Sequence, residues 1–222
     1  MDESLAAPAS TAEIILDAAE VVFAADGDTH ASLRRITSQA GVNIAAVNYH
    51  FGSKDGLVKA VLERRMGELN RERLRRLDEL EDSGETPRPS QLIQAYFGPL
   101  ITFASQQNSD ARAFVALIER SVTNPNSFTQ AIVADQFEQV VLRYRNAFHT
   151  ALPHVPKAEV SWRFQFMLGA TAYALYGSSQ LALLFDLEES HAESLERLEP
   201  RLMSFLLGGL RTPLPEVEAR TP

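Results

Sequence analysis

The stretch SLRRITSQAGVNIAAVNYHFGSK, from Ser32 to Lys54, constrains this chain more than any other. Leu33, Ile36, Thr37 and Ala40 recur at helical spacing, so one face of a helix over Ser32–Ala40 is apolar or small and can be buried. Gly41 supplies the left-handed residue that ends such a helix. Val42 is a lone hydrophobe suited to plugging the space between two crossing helices. Asn43 can cap a second helix, Ile44 to about His50, by accepting a free backbone N–H on its side-chain oxygen. The pattern predicts two short helices with a tight break between them.

The second helix is built oddly for a core element. Only Ile44, Val47 and Phe51 look made for burial, while Ala45, Ala46, Asn48, Tyr49 and His50 are small or polar. A narrow apolar seam opposite a small and polar face lets a helix lie close against a flat polar surface, and the major groove of duplex DNA is one. On this reading Asn43 and Ile44 open the facing surface, and Ala45 and Ala46 allow close approach and contact with a thymine methyl. Asn48 reads an adenine edge, and Tyr49 and His50 bond to phosphate. Of Arg34 and Arg35, early in the first helix, one reaches a phosphate or base edge and the other is solvated. Ser53 caps a third helix whose positive end faces the DNA backbone, with Lys54 in its first turn. A lysine there opposes the helix dipole and so points to an anionic partner. The plainer alternative, a helical hairpin in a core, leaves the polar face unexplained.

ITSQAGVNIAAVNYHFGSKDGL resembles the DNA-binding signature of the TetR family of bacterial transcriptional regulators, with Ala40-Gly41-Val42, the small-rich helix, Asn48-Tyr49-His50-Phe51, and Lys54 followed by Leu57. Tyr49 and Phe51 are one residue closer than in the commoner Y-x-x-F form, and NYHFGSK is a familiar variant. The resemblance covers Thr11 to about Leu62. The wording VNIAAVNYHFGSK is similar to a branch that senses fatty acids or their acyl derivatives, which implies an apolar effector.

A net charge of −8 argues at first against a DNA partner. Between Ala31 and Lys59, however, Arg34, Arg35, Lys54 and Lys59 stand against Asp55 alone, whereas acidic residues dominate beyond Leu187. Binding depends on the face that meets phosphate, so a small basic footprint on an acidic body predicts selective, salt-sensitive binding.

The rest of the chain reads as all-α. A first helix, capped by Ser10 or Thr11, buries Ile14, Ile15, Ala18, Ala19, Val22 and Phe23 and ends at Asp26–Gly27, with Asp28, Thr29 and His30 as a turn. The helix from Ser53 continues through Leu69 into RERLRRLDELED, whose default reading is a salt-bridged solvent face carrying Leu74, Leu77 and Leu80. It can also serve as a stiff connecting helix. After SGETPRP, Ser90 caps a further helix; others span about 110–122 and about 127–152. Ser161–Leu187 is the longest apolar segment. Its polar residues make it a poor membrane span, so it is expected to be buried against protein on most of its circumference. A last helix covers His191–Leu210.

These elements divide into an N-terminal three-helix DNA-binding domain, residues 11–60, and a helical ligand-binding and dimerisation bundle, residues 61–212. Aromatics of the bundle, Phe97, Phe103, Phe114, Phe137, Tyr144, Phe166 and Tyr173, are candidate pocket residues for a small apolar effector such as a fatty acid or acyl derivative. The two C-terminal helices are expected to pair with those of a second copy, giving a homodimer whose twofold axis matches a palindromic operator in double-stranded DNA.

No catalytic constellation is present: no Gly-rich phosphate loop, nucleophile elbow or H-E-x-x-H. Cysteine is absent, and Pro153 separates His149 from His154, so neither metal nor other cofactor is expected. The N-terminus MDESLAAPAS lacks a secretion-signal pattern and predicts a cytoplasmic protein. The expected function is that of a ligand-responsive repressor, not an enzyme. The competing readings are an activator of the same fold, or a helical carrier or interaction module that does not bind DNA.

Overall fold

The structure, a computed structural model, describes residues 10–105, 127–176 and 191–214. Eight helices are found among them: α1 (Thr11–His30), α2 (Leu33–Ala40), α3 (Ile44–Phe51), α4 (Lys54–Glu81), α5 (Pro89–Ser105), α6 (Ser127–Ala151), α7 (Lys157–Tyr176) and α8 (His191–Arg211). The expected helix at 110–122, and Phe114 with it, lie outside the described residues. Among the described residues, no helix is long and apolar enough to cross a membrane. His154 lies exposed in the turn before α7, and no group of three or more acidic or histidine side chains there could hold a metal ion.

The described residues fall into two compact units. The first comprises residues up to Gly67 together with 127–135, and the second comprises Glu68–Ser105 and Gln136 onward.

In the first unit, α1 starts with a reciprocal cap. The Glu13 backbone N–H donates to the Ser10 hydroxyl at 3.2 Å, and the Ser10 N–H donates to the Glu13 carboxylate at 2.7 Å. Those bonds hold the Glu13 carboxyl below its ordinary value. The helix continues past Gly27 to His30, so residues 28–30 belong to it and do not form a turn. Glycine costs a helix interior only about 1 kcal/mol, which flanking turns can absorb. Ile15, Ala18, Ala19, Val22 and Phe23 are buried with Ile36, Val47, Leu57, Val58, Val61, Leu62 and Met66, whereas Ile14 is exposed. Glu20 is buried as well. Its carboxylate accepts from Arg64 Nε at 2.9 Å and from Arg65 Nε at 3.0 Å, and Asp17 accepts from Arg64 at 2.8 Å. This ties α1 to α4 across 44 residues of sequence.

In the second unit, α5 starts one residue earlier than its expected Ser90 cap. Pro89 takes the first helical position, where its missing N–H costs nothing, and the Gln91 side chain accepts from the Arg88 N–H at 2.9 Å. The core gathers Leu77, Leu92, Ile93, Tyr96, Phe97, Ile101, Val140, Tyr144, Phe148, Phe164, Met167, Leu202 and Leu206, with α5 packed against both α7 and α8.

The charged run of α4 is not solely a solvent face. Arg73 is only 1% exposed and shares a buried stripe with Leu69, Asn70 and Leu77. Its guanidinium donates to the Tyr96 carbonyl at 2.8 Å and to Asn70 at 3.2 Å, and lies 4.1 Å over the Tyr96 ring. That carbonyl lies one turn before Pro99, which removes an N–H from α5 and loosens its ladder at this point. The exposed side of the run carries the expected ion pairs, Glu72 with Arg75 and Arg76, and Arg143 of α6 with Asp78.

α7 also departs from expectation. It begins at Lys157, and in the single chain it is not enclosed on most sides. Trp162, Phe166 and Tyr173 are 55%, 65% and 55% exposed, as is Phe205 of α8 at 68%.

Candidate nucleic-acid interface

The first unit presents α3 through a chain of local interactions. Ser32 caps α2 with its hydroxyl, 3.2 Å from the Arg35 N–H. Gly41 ends α2 at φ 66° and ψ 27°, a conformation that only glycine enters freely, and the Val42 N–H then bonds back to the Thr37 carbonyl at 3.0 Å. Asn43 caps α3 by accepting from the Ala46 N–H at 2.9 Å. α2 and α3 pack on one another and both pack on α1.

Burial sorts α3 as the spacing predicts at Val47 and Phe51 but not at Ile44. That residue, expected in the apolar seam, is 44% exposed, because the first residue of so short a helix lies at its open end. Val47 is fully buried and Phe51 half-buried. Asn43, Ile44, Ala45, Asn48, Tyr49 and His50 are exposed, and Ala46 is half-buried. Tyr49 is 86% exposed, so its ring and hydroxyl are open to whatever meets this face. Its ring meets the His50 imidazole edge-on at 5.0 Å, so the two stand together at the end of the helix. Arg34 and Arg35 are both exposed on α2. The third helix is capped as expected: the Gly56 N–H donates to the Ser53 hydroxyl at 3.0 Å. Lys54, half-exposed, is the first residue of α4. An exposed small-and-polar helix face, flanked by arginines and a lysine at a helix N-terminus, is equipped to meet phosphate and base edges.

One residue of this region escapes sequence reasoning. Gly56 lies against the end of α3 so closely that a Cβ added to it would stand 2.0 Å from the Phe51 carbonyl oxygen. It lets the first turn of α4 approach the last turn of α3. The glycine is visible in the sequence, but its need is not, because it depends on how tightly the chain turns between Phe51 and Gly56.

The pocket candidates do not form one set. Phe97 and Tyr144 are buried in the core of the second unit, and Phe103 and Phe137 are half-buried, with the Arg73 guanidinium 5.6 Å from the Phe137 ring. Phe166 and Tyr173 are exposed on α7, because their spacing places them on the side opposite Phe164 and Met167.

Comparison with known proteins agrees with this architecture. The sequence profile described as bacterial regulatory proteins, tetR family, matches residues 15–61. The profile described as tetracyclin repressor-like, C-terminal domain, matches residues 94–209. No curated relative matches the sequence. Solved structures share the fold at low identity. The regulator FadR from Bacillus subtilis in complex with stearoyl-CoA is 15% identical, with 88% of this chain and 97% of that one covered and a TM-score of 0.61. A transcriptional regulator from Rhodococcus is 23% identical over 90% and 97% of the two chains, with a TM-score of 0.59. SmeT in complex with triclosan is 20% identical over 93% and 99%, with a TM-score of 0.62.

Proposed function

The chain belongs to the TetR family of bacterial transcriptional regulators, and from that premise we propose that it is a dimeric repressor released from its operator by a small apolar effector. The observation that carries the reading is the exposed face of α3, Asn43 to His50, held rigid from behind by buried Val47. Asn48 and the small Ala45 face base edges, and Tyr49, His50, Lys54 and an arginine of α2 take phosphates.

Dimerisation through α7 and α8 is supported by the exposed aromatic seam. Trp162, Phe166, Gly169 and Tyr173 recur at alternating intervals of four and three, the spacing of a helix–helix contact line, and Trp162 and Phe166 stack at 5.8 Å. Two copies joined there supply two α3 helices, as many as the two half-sites of a palindromic operator require. The proposed DNA-binding domain is 11–60 and the proposed effector and dimerisation domain 61–212. The aromatic core of the second unit, and fold relatives carrying stearoyl-CoA or triclosan, support an apolar effector, with an acyl chain as the first choice. A coupling of about 1–3 kcal/mol between effector and operator would weaken DNA binding roughly 5- to 150-fold.

The test is a mobility-shift titration with the DNA upstream of the protein's own gene, with and without palmitate. Tyr49→Ala and Lys54→Ala should each weaken operator binding about tenfold while leaving the protein folded, and Lys54→Ala should lower the salt slope by about one per head. Full-strength binding by both variants refutes the assignment. Selective binding insensitive to palmitate retains the regulator and discards the acyl effector.

A further inference from the structure

Two buried hydroxyls in the second unit have no hydrogen-bond partner among the described residues: Tyr96 on α5 and Thr171 on α7. Both forgo bonds that equivalent side chains make elsewhere in this protein. The neighbouring Tyr144, equally buried, donates to the Arg73 carbonyl at 2.7 Å. Thr150, Thr212 and Ser161 each bond back to the carbonyl four residues earlier, at 3.2, 3.1 and 3.0 Å, and Thr171 does not. A hydroxyl buried without a partner is destabilising, and such groups are few in native folds.

Both lie in the second unit, and Phe164 relates one to the other. Thr171 lies seven residues beyond Phe164 on the same face of α7, two turns or about 10 Å along the axis. Phe164 in turn packs edge-on against the Tyr96 ring at 4.9 Å. The surroundings of Tyr96 are otherwise aromatic, with Phe97 and Tyr144 at 4.8 and 4.9 Å and the Arg73 guanidinium over one face. Burial raises the Tyr96 phenol above its ordinary value, so it remains a proton donor. A positive guanidinium beside it favours an electron-rich oxygen as acceptor.

We propose that the Tyr96 and Thr171 hydroxyls are the polar anchors of the effector site, which takes an elongated, mainly apolar molecule carrying an oxygen acceptor, such as a carboxylate or acyl carbonyl, that receives the Tyr96 hydroxyl. This rests on the reading of the second unit as the effector domain and adds the two residues that orient the ligand. Aromatic rings supply the apolar contact, and the hydroxyls discriminate against a plain hydrocarbon of the same length.

The test compares full-length wild type, Tyr96→Phe and Thr171→Val by thermal unfolding without ligand and by calorimetric titration with palmitate and with triclosan. Unliganded variants that melt at or above wild type, with palmitate affinity lowered about tenfold in Tyr96→Phe, are the expected result. A Tyr96→Phe protein that melts several degrees lower overturns the proposal, because its hydroxyl then has a structural partner. Unchanged affinity for a bound probe overturns it as well. Wild type that takes triclosan and not palmitate refutes the acyl effector alone, and the anchors are then judged on triclosan with the same variants. Wild type that binds neither probe overturns the proposal.

Discussion

Gly56→Ala tests how the interface is held together. In an ordinary helix interior this change is favourable by about 0.5–1 kcal/mol, since alanine restricts the unfolded chain and glycine does not. Here the new Cβ would stand 2.0 Å from the Phe51 carbonyl oxygen and 3.1 Å from its carbon. That is at least about 1 Å inside any tolerable contact, and the obstacle is backbone, which no rotamer change can remove. Overpacking of this kind costs about 1–3 kcal/mol, and the rigid obstacle places it at the top of that range. Subtracting the helix gain leaves a net loss of about 2 kcal/mol. The strain falls between the last turn of α3 and the first turn of α4, so Tyr49, His50 and Lys54 should lose their mutual placement. Urea unfolding should show a lower midpoint with an unchanged slope, and operator affinity should fall further than the loss of folded protein explains. A midpoint at or above wild type with unaltered operator binding would refute the close approach.

Other perturbations address the remaining supports. Glu20→Gln removes the buried charge shared by Arg64 and Arg65; breaking such a pair costs roughly 3–5 kcal/mol, and the half-exposed arginines put the expected loss at the lower end. Urea unfolding that differs by less than about 1 kcal/mol would show that the carboxylate contributes no net stability. On α4, hydrogen bonds from Arg75 and then Arg76 lower the Glu72 carboxyl to about 2. A lowered folded-state value gives stability that is present above about pH 4.5 and lost as pH falls toward 2. With the Glu72 side chain 35% exposed, solvent screening limits the effect to under about 1 kcal/mol. The stability gap between wild type and Glu72→Gln should therefore close over that window, and a gap constant from pH 5 to 2 contradicts the ion-pair origin. Phe205→Asp should leave the isolated subunit folded, since the side chain is 68% exposed, and should shift sedimentation from dimer toward monomer. A dimer unchanged at micromolar concentration would move the interface elsewhere.

Much of the first unit was legible in one dimension because its determinants are local. The caps at Ser32, Asn43 and Ser53 and the left-handed Gly41 act over three or four residues, within reach of a spacing argument. The polar face of α3 follows from its period in the same way. Where the local signals were weak, expectations moved: Gly27 does not stop α1, and Pro89, not Ser90, opens α5. The candidate pocket was read less well, since aromatic residues look alike in a sequence whether they pack inward, as Phe97 does, or outward, as Phe166 does.

The sequence by itself determined an all-helical chain, the order and approximate bounds of the described helices, and most of the side chains of the helix–turn–helix that remain exposed, Ile44 excepted. All of these depend on backbone hydrogen bonds and side-chain period within single elements. Only the tertiary structure decided that Arg73 of a charged run is buried over an aromatic ring. It likewise decided that Glu20 meets arginines 44 and 45 residues away, and that the buried Tyr96 hydroxyl has no hydrogen-bond partner among the described residues while that of Tyr144 beside it has one. These outcomes depend on which atoms of distant segments come within a few ångströms, and a residue's type and spacing carry no record of that distance.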